Sequence, residues 1–165
     1  MKELLRQLAA YNSWANQKIA ELLATIPEEL LKQELSSSFG SIHLTVVHMW
    51  DAESIWWQRL KLQEVITAPS GSFSGTTVEA MQALGLQDRL WEDWIQSATE
   101  MALDHVFSYY SLKRELFKQP TFQVIMHVMN HGSYHRGQIV NMLRQLGQQK
   151  IPQTDFIVWS RKKIT

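Results

Sequence analysis

Cysteine is absent from the 165 residues. The chain therefore has no disulfide, no thiolate metal ligand and no thiol nucleophile of its own, and the simplest expectation is a cytoplasmic protein. Excess charge is missing too: sixteen Lys and Arg balance sixteen Asp and Glu. Without a positive surplus to neutralise phosphates, nucleic acid is not expected as a partner. No run approaches the ~18 apolar residues that a membrane span needs. The opening MKELLRQLAAYNSWANQKIA is broken by charges and amides and holds no signal-peptide core. What remains is a length and a 45% hydrophobic content that suit one soluble domain over residues 1–165.

Helical periodicity dominates the pattern. In residues 3–25, Leu4, Leu8, Tyr11, Ala15, Ile19 and Leu22 recur at steps of three or four. A second helix is expected from about Ser41 to Leu62, after the loop-like SSSFGS. The Ser/Gly/Thr-rich TAPSGSFSGTT (67–77) is the clearest break. A third helix is expected from Thr77 to about His105, with Gly85 as a possible kink. Residues 106–119 read as two short strands or an extended crossover. Pro120 suits the first turn of a fourth long helix, which Gly147 ends, and IPQTDFIVWS is a tail that folds back. The fold class is all-α: a four-helix bundle with a long connection and a short extended or hairpin segment before the last long helix.

Three of the six histidines share one stretch, HVMNHGSYHRGQI (127–139), at steps of four. On a helical wheel at ~100° per residue, His135 falls inside the apolar arc of the fourth helix, His131 at its edge and His127 outside it. Two histidines at i, i+4 stand one turn apart on one face and can share an ion. In HMWDAESIWWQRL (48–60) the second helix offers a third, His48, on a face with Leu44, Ala52 and Ile55; His43 lies well away. Spacing leaves two readings open, a three-imidazole metal site and a set of hydrogen-bonded core histidines.

These segments resemble the DinB family of metal-binding four-helix bundles. YNSWANQKI (11–19) is similar to its first-helix motif, GSIHLTVVHMWDAESIWWQRL (40–60) to its second, and HVMNHGSYHRGQIVNMLRQLG (127–147) to its HxxxHRGQ element, followed by a P-x-T-D tail at Pro152–Asp155. The resemblance implies metal ligands at His48, His131 and His135. It also implies an up-down-down-up bundle, with the long crossover between the second and third helices, and a homodimer. Characterised relatives include isomerases and S-transferases that use the metal to activate a small-molecule thiol. Because this chain has no cysteine, such a thiol would arrive as a cosubstrate. The leading expectation is thus a transferase- or hydrolase-type enzyme holding zinc, nickel or iron, since imidazole alone does not choose among them. The alternative is a non-catalytic, stress-associated dimer whose ion ties helices together. The family name reflects induction by DNA damage and says nothing about DNA binding.

Other residues carry expectations of their own. Arg136 falls in the apolar arc and needs a carboxylate, for which Asp51, Glu53 and Asp155 are candidates. Tyr134 and Gln138 are within reach of the metal cavity, and His127 is a candidate second layer around the ligands. Gly132 and Gly137 suggest close helix approach around the site. Trp50 and Trp57 lie opposite His48 on the second helix and suggest a subunit interface.

Overall fold

Leu5, Ala9, Asn12, Asn16, Ile19 and Leu23 repeat at alternating steps of four and three, and they form the buried face of helix α1 (Lys2–Leu23). This face includes the expected Ile19, with Ala15 buried beside it, but in the first half it lies one residue round from the expected stripe. Leu4 is 53% exposed, whereas Leu5 is fully buried. The shift arises because two asparagines, not apolar residues, occupy the inward positions. The structure is a computed structural model that describes residues 1–111 and 113–161.

After the short α2 (Glu28–Leu31) comes α3 (Ile42–Leu60), capped by the Ser41 side chain, which accepts from the Leu44 amide at 3.1 Å. Helix α4 (Thr77–Ser97) opens with a reciprocal capping box between Thr76 and Glu79 and runs through Gly85 without interruption. The expected third helix does not continue to His105. Ala98 turns extended, and Thr99 caps a separate α5 (Glu100–Asp104) through the Ala102 amide. A threonine that can satisfy a new helix start competes with continuation of the old one. Strands β1 (Val106–Tyr110) and β2 (Leu116–Pro120) form the antiparallel hairpin, with Tyr109 opposite Phe117. Pro120 is the cap of α6 (Thr121–Gln145), one residue before the first turn. Beyond α6, Gly147 takes a left-handed φ of 80°, which lets its amide and that of Gln148 reach back to Arg144 and Leu143. The tail carries α7 (Phe156–Ser160); before it, the Thr154 carbonyl accepts the Tyr11 hydroxyl at 2.6 Å.

Two apolar clusters fix how the helices run. One gathers Ile19 and Leu23 from the end of α1, Val46 and Met49 from the first half of α3, Ala80 and Leu84 from the start of α4, and Ile139 and Leu143 from the end of α6. The other gathers Leu5 and Ala9, Trp56 and Trp57, Trp91 and Ile95, and Ile125 and Val128, the opposite ends of the same helices. Thus α1 and α6 run one way and α3 and α4 the other: an up-down-down-up bundle. Because α3 and α4 are parallel neighbours, residues 61–76 must travel the length of the bundle between them. None of the described helices is long and apolar enough to cross a membrane.

Trp50 and Trp57 do not present a free outer face. Trp50 packs edge-on to Phe73 of the crossover, with ring centroids 5.3 Å apart, and Trp57 packs edge-on to the fully buried Trp91 at the same distance. The crossover and α4 cover the surface that looked available for a second subunit.

Candidate metal centre

Antiparallel packing of α3 on α6 sets His48 against the i, i+4 pair His131 and His135. The Nε2 atom of His131 lies 3.1 Å from that of His48 and 3.0 Å from that of His135. All three can present ligand atoms within 4.8 Å of one another, and among the described residues no carboxylate or fourth histidine joins the group. The burial follows the helical wheels: His135, inside the apolar arc, is buried, and His131, at its edge, is half-buried. The trio lines the seam between α3 and α6, where His48 is also half-buried and Leu44 beside it is 51% exposed.

Surrounding side chains hold these rings in place. Phe39, from the loop before α3, stacks on His48 with centroids 4.1 Å apart and meets the His135 ring edge-on at 5.5 Å. Nothing in the sequence marks Phe39, since a lone aromatic in a Ser/Gly loop carries no periodicity. Gln138 Oε1 lies 2.7 Å from His135 Nδ1, while its Nε2 donates to Ser38 Oγ at 3.1 Å. Gln138 therefore accepts the Nδ1 proton and leaves a bare lone pair on His135 Nε2. Tyr134 is 62% exposed with its ring 5.0 Å from His135, at the rim. His127 is exposed and rests on Trp56, its ring 5.8 Å from that of His131. His43 belongs elsewhere, bonded to Thr77 Oγ1 at 2.9 Å.

The donor set fits a cation. Burial pushes His131 down to about 3, with the neighbouring imidazoles adding to the effect, and burial likewise lowers His48 and His135. All three rings are neutral at pH 7. Neutral rings have one N–H each, and His135 directs its own at Gln138. A proton on His131 Nε2 can serve only one of the two Nε2–Nε2 contacts, whereas a metal ion satisfies all three lone pairs at once. Metal–nitrogen bonds of ~2.0–2.1 Å place ligand nitrogens about 3.0–3.4 Å apart, close to the two spacings that His131 makes.

Behind His135, Arg136 turns into the bundle and is buried. Its guanidinium donates to Asn12 Oδ1 at 2.5 Å, Asn16 Oδ1 at 2.8 Å and Ser133 Oγ at 2.9 Å. The two amides pass the interaction on: Asn12 donates to Glu53 at 3.1 Å and to Asp88 at 2.9 Å, and Asn16 donates to Asp88 at 3.0 Å. Of the carboxylates expected near Arg136, Glu53 is in this network. Asp51 instead accepts the Ser70 amide at 2.9 Å, and Asp155 makes no ion pair with Arg136. Asp88 was not anticipated, nor were Asn12 and Asn16, although their place in the four-three repeat of α1 is the signal that shows them. Burial raises Asp88 to about 6 and Glu53 well above its usual value, with Asp88 adding to the rise in Glu53. Both carboxyls are pushed toward their protonated forms, which lessens the negative charge facing Arg136 in a network joining all four long helices.

The sequence pattern of the DinB family matches residues 1–162. This chain belongs to the DinB family. It is 31% identical over 166 aligned positions to the protein DinB of Bacillus subtilis (strain 168), covering 94% of this chain and 93% of that one. Two solved structures of DinB-like proteins share the fold. One, from Bacillus cereus, has a TM-score of 0.69 at 16% identity, over 87% of this chain and 91% of its own. The other, from Bacillus subtilis, has a TM-score of 0.67 at 14% identity, over 90% and 97%.

Two glycines of the DinB-like HGSYHRG stretch behave differently. A Cβ on Gly132 would lie 2.6 Å from Asn12 Oδ1 and 3.1 Å from Arg136 Nη1, whereas one on Gly137 would meet nothing within 4 Å. Close approach explains Gly132 only; the expectation for Gly137 fails. Gly132→Ala should therefore destabilise by ~1–3 kcal/mol through overpacking. Gly137→Ala should stabilise by up to ~1 kcal/mol through helix propensity. Urea midpoints that move the same way for both would contradict this account.

The lowered histidines also set a pH dependence. An imidazole depressed in the fold takes a proton more readily once the chain unfolds, so stability is lost as pH falls through the unfolded value near 6.5. Metal-free protein should lose stability from pH ~6.5 down toward 3. Asp88 and Glu53, shifted the opposite way, offset part of that loss. Thermal melts of His131→Ala across this range should show a shallower slope, and an unchanged slope would assign the effect to other groups.

Proposed function

We propose that this DinB-family protein is a metal-dependent enzyme in which His48, His131 and His135 hold a divalent ion, zinc, nickel or iron. A single observation carries this reading: three neutral imidazoles converge in the seam between α3 and α6, with no carboxylate or fourth histidine among the described residues to close the set. An ion held by these three residues would keep its full positive charge and would supply Lewis acidity, lowering the pKa of a small-molecule thiol or of water. The reaction class is transfer or isomerisation with a low-molecular-weight thiol, or hydrolysis. The chain's own residues do the positioning. Gln138 fixes the tautomer of His135, Phe39 holds His48 and sheds water from that side of the seam, and the Tyr134 hydroxyl stands at the rim, where a ligand would meet it.

Since the chain has no cysteine, any sulfur-to-metal charge-transfer band must come from an added thiol. Protein loaded with Co(II) or Ni(II) and mixed with a small thiol should show that band, and His135→Ala should not. Full metal occupancy with no band for any thiol would remove thiol chemistry and leave hydrolysis or an ion that only ties α3 to α6. Three further readings accompany the proposal: a single domain, a cytoplasmic location and a homodimer. The homodimer rests on the family resemblance, with an interface other than Trp50 and Trp57, and light scattering at micromolar concentration tests it.

A further inference from the structure

One stripe of α3 carries His48, Ala52, Ile55 and Arg59, and it leads away from the histidines to a separate cavity of about 640 Å³. Ile55, Leu62, Ile66, Tyr109 and Tyr110 contribute its apolar walls, and Arg59 reaches into it. The volume is in the range of small-molecule sites. Arg59 is held firmly: its guanidinium carbon sits 4.5 Å from the Trp56 ring centroid and 5.1 Å from that of Tyr109, and Nη2 donates to the Tyr110 carbonyl at 3.0 Å. Only that one of its five N–H donors is hydrogen-bonded among the described residues. No carboxylate lies within 4.0 Å of it there; Glu64 also borders the cavity without pairing to Arg59. A half-buried guanidinium fixed in orientation, with the rest of its N–H donors unpartnered among the described residues, is set to meet an anion.

We propose that this cavity binds an organic carboxylate with an apolar body, the carboxylate pairing with Arg59 and the body lying between Ile55, Ile66 and the two tyrosines. A planar guanidinium fork matches a carboxylate in two-point contact, and the aromatic and aliphatic walls favour a chain or ring over a hydrated ion. Eleven residues separate His48 from Arg59, a rise of ~16 Å along the helix, shortened by the reach of the arginine side chain. A substrate with its carboxylate here directs its other end along the stripe toward the histidines. That role rests on the enzyme reading above, whereas binding in the cavity requires no metal.

Octanoate and octanol, titrated into metal-free protein with Trp fluorescence or calorimetry as readout, separate the contribution of the charge from that of the chain. Octanoate should bind at least about tenfold more tightly than octanol. Arg59→Gln should remove about that factor for octanoate and leave octanol within about twofold, the expected range for losing a charge-assisted pair. Ile66→Asp, which puts a negative charge in the wall, should abolish octanoate binding, and it decides the matter if Arg59→Gln does not fold. Equal affinity for octanoate and octanol, or octanoate binding that survives both substitutions, would overturn the proposal. Because the protein is metal-free, a negative result here leaves the metal chemistry standing. Loss of metal binding in His131→Ala with octanoate binding intact would support the cavity as an independent site.

Discussion

If the trio holds a divalent metal, as proposed, the unsubstituted protein should carry about one ion per chain and His131→Ala should lose nearly all of it. His131 is the middle member of the trio: its Nε2 is 3.1 Å from one partner and 3.0 Å from the other, so it links the α3 and the α6 contributions. His48→Ala and His135→Ala should also lower metal content sharply, since two imidazoles alone make a weak site. His43→Ala and His105→Ala are the controls. His43 is tied to Thr77, and what His105 contributes to the fold is its backbone carbonyl, which accepts the Thr121 amide. Elemental analysis of the five purified variants decides the set. Full occupancy in any one of the three ligand variants would strike that residue from it.

Arg136→Met should cost about 3–5 kcal/mol, a large share of the ~5–15 kcal/mol that holds a domain of this size together. Methionine fills similar volume and removes no apolar contact, so the loss comes from Asp88 and the amides of Asn12 and Asn16, left buried without their cation. If that is the cause, Asp88→Asn in the Arg136→Met background should recover most of the stability, because position 88 then holds no buried anion that lacks its cation. Urea unfolding of the two single variants and the double variant measures the coupling directly. Additive effects would show that Arg136 contributes through packing alone. A second consequence follows from Asp88 lying at about 6. The Arg136→Met penalty should shrink as the pH falls below that value, since a protonated Asp88 needs no partner.

Much of the architecture is written in local pattern. Ser41 before an apolar run, Thr76 three residues before Glu79, Pro120 ahead of a periodic stretch and Gly147 after it are cap chemistry, and a cap acts within one turn of itself. The alternating residues around Tyr109 and Phe117 announced the hairpin for the same reason. His131 and His135 were legible as a pair because four residues make one turn, and His48 was placed with them by its position beside Leu44, Ala52 and Ile55 and by the family pattern around it. Where one helical segment ends was less legible. The break at Ala98 depends on Thr99 winning a competition that periodicity does not register.

What the sequence by itself determined is which side chains share a face of each helix; what only the tertiary structure decided is what each face meets. Asn12 and Asn16 sit inside because Arg136, 124 and 120 residues away, needs their carbonyl oxygens, and because Asp88 and Glu53 need their amide protons. Trp50 and Trp57 are partly covered because the crossover and α4 lie over them, and the histidines line a seam because α3 and α6 meet along that face. Helical period is a property of one segment, set by 3.6 residues per turn. Burial of a polar or aromatic side chain depends on partners from other segments, and only the packed bundle supplies them.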